Sequence, residues 1–551
     1  MTTSCGAATD AQEEPVSFPE SRAWAADSEH TGQSYTHIPH QGGAGHGDVS
    51  AEPAGTAAAA EPLSPRDRMP YRHKVQRCLD ALERMLADGS FSFPHKRIGL
   101  ELELNLVDPE LRPSMSNTLM LERLGDPVFT TELGKHNLEL NVRPRPLAGD
   151  SLGELERELH GYLTGAASTA RDACGDLVTI GILPTLTSEH FRTEWLTDNQ
   201  RYCLLNNEIL AARGERTLLQ MDGEPLPGSS PDRLYSYADT ILPEAACTSA
   251  QLHLQVAPED FATHWNAAQC LAGVQLAIGA NSPFLLGKAL WHETRVPLFL
   301  QATDTRPEEL KTQGVRPRVW FGERWVTSIF DLFEENVRYF PGLLPETDAE
   351  DPLETLEAGA APQLSELRMH NGTVWRWNRP VYDVVDGTPH LRIENRVLPA
   401  GPTVIDMLAN AAFFYGAQRA LADAERPVWT QMSFQAAEEN LYAGARHGMH
   451  ADLYWPGIGW VPPDELALRV LIPLAHEGLR SSGVPAALAD HYLDVLRQRC
   501  IARRNGSDWQ RESVMRLEAR GFDRREALNR MLAGYIDRAV DGAPVHEWSL
   551  L

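Results

Sequence analysis

Four segments of the chain alternate apolar and polar residues with period two, the pattern of a strand that hides one face. In RIGLELELNLVD, residues 97 to 108, Ile98, Leu100, Leu102, Leu104 and Leu106 alternate with Gly99, Glu101, Glu103 and Asn105. In HNLELNV, residues 136 to 142, Leu138, Leu140 and Val142 alternate with Asn137, Glu139 and Asn141. QLHLQV, residues 251 to 256, sets Leu252, Leu254 and Val256 against Gln251, His253 and Gln255. LRIENRV, residues 391 to 397, sets Leu391, Ile393 and Val397 against Arg392, Glu394 and Arg396. Residues two apart on a strand share a face, so Glu101 and Glu103 project together, roughly 6 to 7 Å apart. Parity places His136 on the apolar side, as a packing or edge residue.

Helical spacing governs other parts of the chain. Val75, Cys78, Leu79, Leu82, Met85 and Leu86 predict a helix over 71 to 87 that Gly89 stops. Ser151 and Glu154 form the pattern of a capping box ahead of the apolar stripe Leu152, Leu155, Leu159 and Leu163. The helix leads into LVTIGIL, residues 177 to 183, which reads as a strand. A long buried helix is expected over 403 to 424, and amphipathic helices over 464 to 500 and 508 to 540. The acidic stretch 345 to 363 reads as a surface loop, and no repeat of solenoid or propeller period is present.

Composition narrows the class. Residues 1 to about 68 are rich in Ala, Gly, Ser, Thr, Glu and His without apolar periodicity, which predicts a disordered tail; its His30, His37, His40 and His46 read as part of a solvated polar tract. A formal net charge of -26 and the lack of a Lys/Arg cluster argue against nucleic-acid binding, and no apolar run is long enough for a membrane span. Seven scattered cysteines without a CxxC pair, and no secretory signal at the N-terminus, fit a reducing cytoplasmic setting.

The polar faces of the four strands carry the candidate chemistry. For any one strand, a side that meets water explains the pattern. Taken together they supply carboxylates, amides, one imidazole and arginines, the groups that hold hard cations and phosphates. Glutamates converging in a cleft repel one another and have raised pKa values unless divalent cations sit among them. Oxygen ligands with one imidazole suit Mg2+ or Mn2+, and arginines of the last strand would face a nucleotide's phosphates. No P-loop, GxGxxG turn, HExxH pair or GxSxG elbow is present.

The segments GLELELN, TELGKHNLELN with Glu132 seven residues before Glu139, TSAQLHLQV, ANSPF and RIENRVLPAGPTVID occur in an order that resembles the glutamate-cysteine ligase type 2 and carboxylate-amine ligase group, whose catalytic domain is similar to glutamine synthetase. The resemblance implies an α+β fold in which a curved antiparallel sheet forms an active-site funnel packed with helices. It divides the chain into the tail (1–68), a catalytic domain (69–430) and a mainly helical C-terminal part of the same enzyme (431–551). By that likeness Glu101, Glu103, Glu132, Glu139, His253, Gln255 and Glu394 hold Mg2+ (or Mn2+), Glu103 and Arg396 are catalytic, and Arg396 with Arg392 binds the nucleotide. Arg368, Arg376 and Arg379, around RMHNGTVWRWNRPVY, are candidates for gripping a substrate carboxylate; Trp375 and Trp377 of that segment read first as core residues, with pocket walls as the alternative. Asn281 and Pro283 of ANSPF are expected to shape a turn; DLYWPG (452 to 457) and NGSDWQ (505 to 510) are expected to close over the funnel without chemistry of their own.

The implied reaction is ATP-dependent formation of a γ-glutamyl amide through an acyl phosphate, from glutamate and cysteine. Members of the group often carry a threonine shortly after the second-strand glutamate, where this chain has Asn141 and Val142, so the acceptor stays open: ammonia, another amine or a guanidino group are alternatives. A nucleotide-binding regulatory protein without turnover is a further alternative. Oligomeric state is not legible.

Overall fold

The computed structural model describes residues 65–91 and 96–551. The polar tract with its four histidines lies outside the described residues. The first helix, Pro65–Ala87, starts earlier than the expected Tyr71 and takes in the end of the predicted tail. Its buried stripe is Tyr71, Val75, Cys78, Leu79, Leu82 and Met85, with Gly89 beyond the end in the left-handed region, as the spacing predicts.

One antiparallel sheet organises the molecule. Its strands are β1 (Arg97–Val107), β2 (Phe129–Thr131), β3 (Asn137–Pro146), β4 (Asp176–Val178), β5 (Ala250–Gln255), β6 (Asn378–Val385) and β7 (Thr388–Asn395). Their order is β6-β7-β5-β1-β3-β2, with β4 added beside β1, and the sheet is curled into a half-barrel. The α+β class and the curved antiparallel sheet are therefore as expected. Each of the four alternating segments supplies a strand.

The apolar face is covered by two helices, Phe261–Gly279 and Val404–Ala422, whose residues are buried almost throughout. Helices enclosed on all sides need apolar residues all round, and both have them. Thr403 caps the second through its hydroxyl, which accepts from the Asp406 N–H at 3.2 Å. Tyr415 of that helix donates its hydroxyl to the Gly99 carbonyl of β1 at 2.9 Å. On its outer side the helix meets Ile472–Ser481 so closely that a Cβ on Gly416 would stand 2.1 Å from the Ala475 carbonyl oxygen. Ala486–Ala502, Gly506–Ala519 and Arg524–Asp541 complete the helical C-terminal part.

Three local expectations are corrected. Of LVTIGIL only Leu177 and Val178 belong to a strand, because β5 occupies the same edge of β1 over Ile98 to Leu102 and leaves β4 only Asn105 to Val107. The carbonyls of Ile180 and Gly181 bond instead to Thr248. The helix Ser151–Ala173 has no capping box: Asp150 stands at its N-cap and Ser151 Oγ is buried without a partner. Arg157 draws the Asp150 carboxylate away from the helix N–H groups, at 2.7 Å. Within 345 to 363 the chain forms a short helix, Pro352–Glu357, because Asp351 accepts from the N–H groups of Leu353 and Glu354. Among the described residues no helix is long and apolar enough to cross a membrane.

Candidate active site

The polar face of the sheet is as buried as the apolar one. Glu101, Glu103, Glu139, His253, Arg379, Arg392 and Glu394 are each less than a tenth exposed. Register explains which of them meet. Glu103 of β1 stands opposite Glu139 of β3, and Glu101 lies between Asn141 and Gln251. His253 of β5 stands opposite Glu394 of β7, which faces Arg379 of β6.

At one end of this face Glu103, Glu132 and Glu139 bring carboxylate oxygens within 4.8 Å of one another. Glu132 enters just after β2, and its Oε1 is buried without a partner. Burial, with Glu139 and Glu103 adding their charge, pushes the Glu132 carboxyl well above the ordinary carboxylate range. Glu103 is raised to about 7 by burial; Arg396 opposes the rise and Glu139 adds to it. Asn141 donates to Glu139 Oε1 at 2.8 Å, and the Ser249 N–H donates to Glu103 Oε2 at 2.6 Å. Three buried carboxylates with an orphaned oxygen among them form a donor set that fits a hard divalent cation.

A second line of contacts leads from this cluster to the arginines. Gln251 donates through Nε2 to Glu103 Oε1 at 2.8 Å and accepts from Arg396 Nη1 at 2.7 Å. Arg396 also pairs with Glu394, which Arg379 meets at 3.0 Å. Burial would raise the Glu394 carboxyl, but the two guanidinium groups hold it far below its ordinary value. Burial opposes the charge on Arg396, but Glu394 and Glu103 outweigh it and push its pKa above the usual value.

The other end of the face is a mixed cluster. His253 Nε2 lies 3.2 Å from Glu101 Oε1, and Arg392 Nε donates to His253 Nδ1 at 3.2 Å. Burial acts against ionisation of Glu101, yet His253 beside it leaves its carboxyl below the ordinary value. Asp383 joins Arg392 at 3.2 Å to Arg368 at 2.9 Å. Gln255 Oε1 is buried without a partner.

Glu103, Arg396, Ser249, Arg295, Trp375, Arg376 and Trp377 line a small cleft over the carboxylate end. Trp375 and Trp377, read first as core residues, are almost fully buried and also border this cleft. Of the three arginines assigned to substrate, Arg376 lines this cleft, Arg379 stands on Glu394 and Arg368 on Asp383. Arg376 meets Glu335 at 2.9 Å and lies over the Trp320 ring at 4.6 Å. Its Nη1 is buried without a partner, as is the indole Nε1 of Trp375.

The structure adds Gln251, Ser249, Arg295 and Asp383 to the site. Gln251 stood in the alternating pattern without a role, whereas Ser249 acts through a backbone N–H that no side-chain pattern announces. Arg295, from a stretch without strand periodicity, donates to the Val397 carbonyl beside Arg396 at 2.7 Å. His136 is fully buried against Trp195 and kept neutral by burial, with its pKa near 3, as a packing histidine should be. NGSDWQ does not line the cleft. It opens the helix Gly506–Ala519 and packs on ANSPF, where Gln510 donates to Asn281 Oδ1 at 2.9 Å.

The family model of glutamate-cysteine ligase family 2 matches residues 97–457, from the first residue of β1 to the end of DLYWPG. No curated protein matches the sequence. Among solved structures, the chain is similar to a glutamate-cysteine ligase from Francisella tularensis in complex with AMP, at 12% identity and a TM-score of 0.48, over 84% of this chain and 91% of that one. It is also similar to a bifunctional glutathione synthetase from Pasteurella multocida, at 10% identity and a TM-score of 0.44, over 86% of this chain and 55% of that one. With about two thirds of its residues in the family match, the chain belongs to glutamate-cysteine ligase family 2, and so to the ATP-dependent carboxylate-amine ligases.

Proposed function

We propose that the enzyme joins glutamate to an amine, with cysteine as the first candidate, by way of a γ-glutamyl phosphate made from ATP. The observation that carries this reading is the buried trio Glu103, Glu132 and Glu139, linked through Gln251 to Arg396 at the edge of a cleft. In the first step a γ-carboxylate oxygen of glutamate takes the terminal phosphoryl group and ADP leaves. In the second the amine nitrogen attacks the acyl carbon, loses a proton, and inorganic phosphate departs.

Glu103, Glu132 and Glu139 would hold Mg2+ or Mn2+; Glu101, His253, Gln255 and Glu394 are the remaining donors of the same face. A cation held there would neutralise charge between the phosphates and the incoming carboxylate. Arg396, kept cationic by Glu394, faces the transferred phosphoryl group, and Arg392 the nucleotide. Gln251 fixes Arg396 relative to Glu103, so charge and carboxylates stay in register without reorganisation during the reaction. Arg376 lines the cleft, its buried Nη1 has no partner, and it is the arginine best placed to grip a substrate carboxylate. The Trp375 and Trp377 rings narrow the cleft and keep water from the acyl phosphate.

The test is ADP release and product mass after incubation with ATP, Mg2+, glutamate and either cysteine or another amine. A mass of glutamate plus cysteine less water supports the full reading. Glu103→Gln is expected to lower turnover by about 100-fold or more. Condensation with a different amine keeps the mechanism and replaces the acceptor. ATP binding without ADP release or condensation for any acceptor overturns the ligase reading and favours a nucleotide-binding regulator.

A further inference from the structure

The two motifs that the reaction leaves unused meet at a second cluster of donors. His450 stands two residues before DLYWPG, Asp508 is the fourth residue of NGSDWQ, and His292 follows ANSPF by eight positions. We propose that His292, His450 and Asp508 form a second metal site, one for a divalent transition cation of the zinc class, which ties these three segments together.

The geometry is that of ligands around one ion. Asp508 Oδ1 lies 3.5 Å from His292 Nδ1 and 3.5 Å from His450 Nε2, and all three donor atoms fall within 4.8 Å of one another. Donors about 2.0 to 2.1 Å from a tetrahedral zinc stand roughly 3.4 Å apart. Asp508 Oδ2 is engaged by the Asn505 N–H at 3.2 Å, in the cap of its helix, so Oδ1 is the oxygen turned to both imidazoles.

Backbone contacts hold the donors without help from an ion. His292 and Glu293 donate their N–H groups to the carbonyls of Arg446 and Ala445, and the Ser507 N–H donates to the Ala280 carbonyl at 2.9 Å. Gly448 packs against the His292 ring: its φ is +56°, a Cβ there would stand 2.8 Å from Nδ1, and Ser507 Oγ meets the same nitrogen at 3.1 Å, a contact that a bound cation would replace. His292 and Asp508 are buried while His450 is largely exposed, so the site has a floor and an open side for a water ligand and for entry.

Two imidazoles and one carboxylate oxygen select against Mg2+, which takes an all-oxygen octahedron, and for zinc-class ions. The site is therefore chemically distinct from the carboxylate trio. Asp508 also lies beyond the matched residues 97–457.

The test uses the full chain, stripped with a chelator and dialysed against limiting Zn2+ in saturating Mg2+, with bound zinc measured by mass spectrometry. Wild type and Glu103→Gln are expected to retain one zinc more per chain than His450→Ala, with affinity at least about tenfold weaker in that variant. The four histidines within residues 1 to 64 are common to all these proteins and cancel. Asp508→Asn, which keeps a cap acceptor, is expected to lose the same zinc and the accompanying rise in Tm. Equal zinc content in wild type, His450→Ala and Asp508→Asn would overturn the proposal and leave an ion-paired cluster only.

Discussion

Glu438 shows what burial does to a single carboxyl outside the site. It stands half-buried on the helix Phe434–His447, where burial and then the adjacent Glu439 raise its pKa from 4.5 to about 7. The folded chain thus holds this proton more tightly than the unfolded chain does. The resulting stability is fully present below pH 4.5 and is lost as pH rises through 7. Glu438→Gln removes that loss: urea denaturation is expected to show a gain of about 1 to 2 kcal/mol at pH 8, discounted for partial exposure, and almost none at pH 4.5. An equal gain at both values would show that charge is not the cause. Single residues of the site were legible in a similar, limited way. Alternation identified Glu101, Glu103, Glu139, His253 and Glu394 because residues two apart on a strand share a face. It did not reveal partners, since the meeting of Glu394 with Arg379 depends on the register of β6 against β7. The Ser249 N–H has no sequence signature at all.

At the scale of elements, periodicity located strands and helices well and their ends less well. The helix Val404–Ala422 begins where Thr403 was expected to start it, because a hydroxyl one turn from Asp406 is a local signal. The start of Ser151–Ala173 depended on Arg157, about two turns further along, which competes for Asp150. Thermal denaturation checks this: Ser151→Ala is expected to change stability by less than about 0.5 kcal/mol, where loss of a working cap would cost about 1. The shortness of β4 was likewise invisible. An apolar run reports that a segment is buried; whether an edge of β1 is vacant depends on β5, more than seventy residues away in the chain.

The molecule is organised by its seven-stranded sheet, with the candidate chemistry on one face and two enclosed helices on the other, and its C-terminal helices close that second side. Arg499 is buried and donates to Asp406 Oδ1 at 2.8 Å and to Asn410 Oδ1 at 2.6 Å. Tyr535 accepts from Asn281 Nδ2 at 2.8 Å and donates to the Thr179 carbonyl at 2.8 Å, joining ANSPF to the segment after β4. A chain cut after Gly457, where the family match ends, keeps every residue of the proposed ligase site and loses only Asp508 of the second metal site. The cut also removes the Arg499 guanidinium and the Val545 N–H from which Asp406 accepts, and uncovers the apolar outer side of Val404–Ala422. The truncated chain is therefore expected to lose near-UV circular dichroism and to bind a hydrophobic dye, whereas in the full chain the near- and far-UV signals should disappear in one shared transition. Cooperative unfolding of residues 1 to 457 alone would show instead that the sheet and its two covering helices are an independent unit, with the C-terminal helices only docked against it.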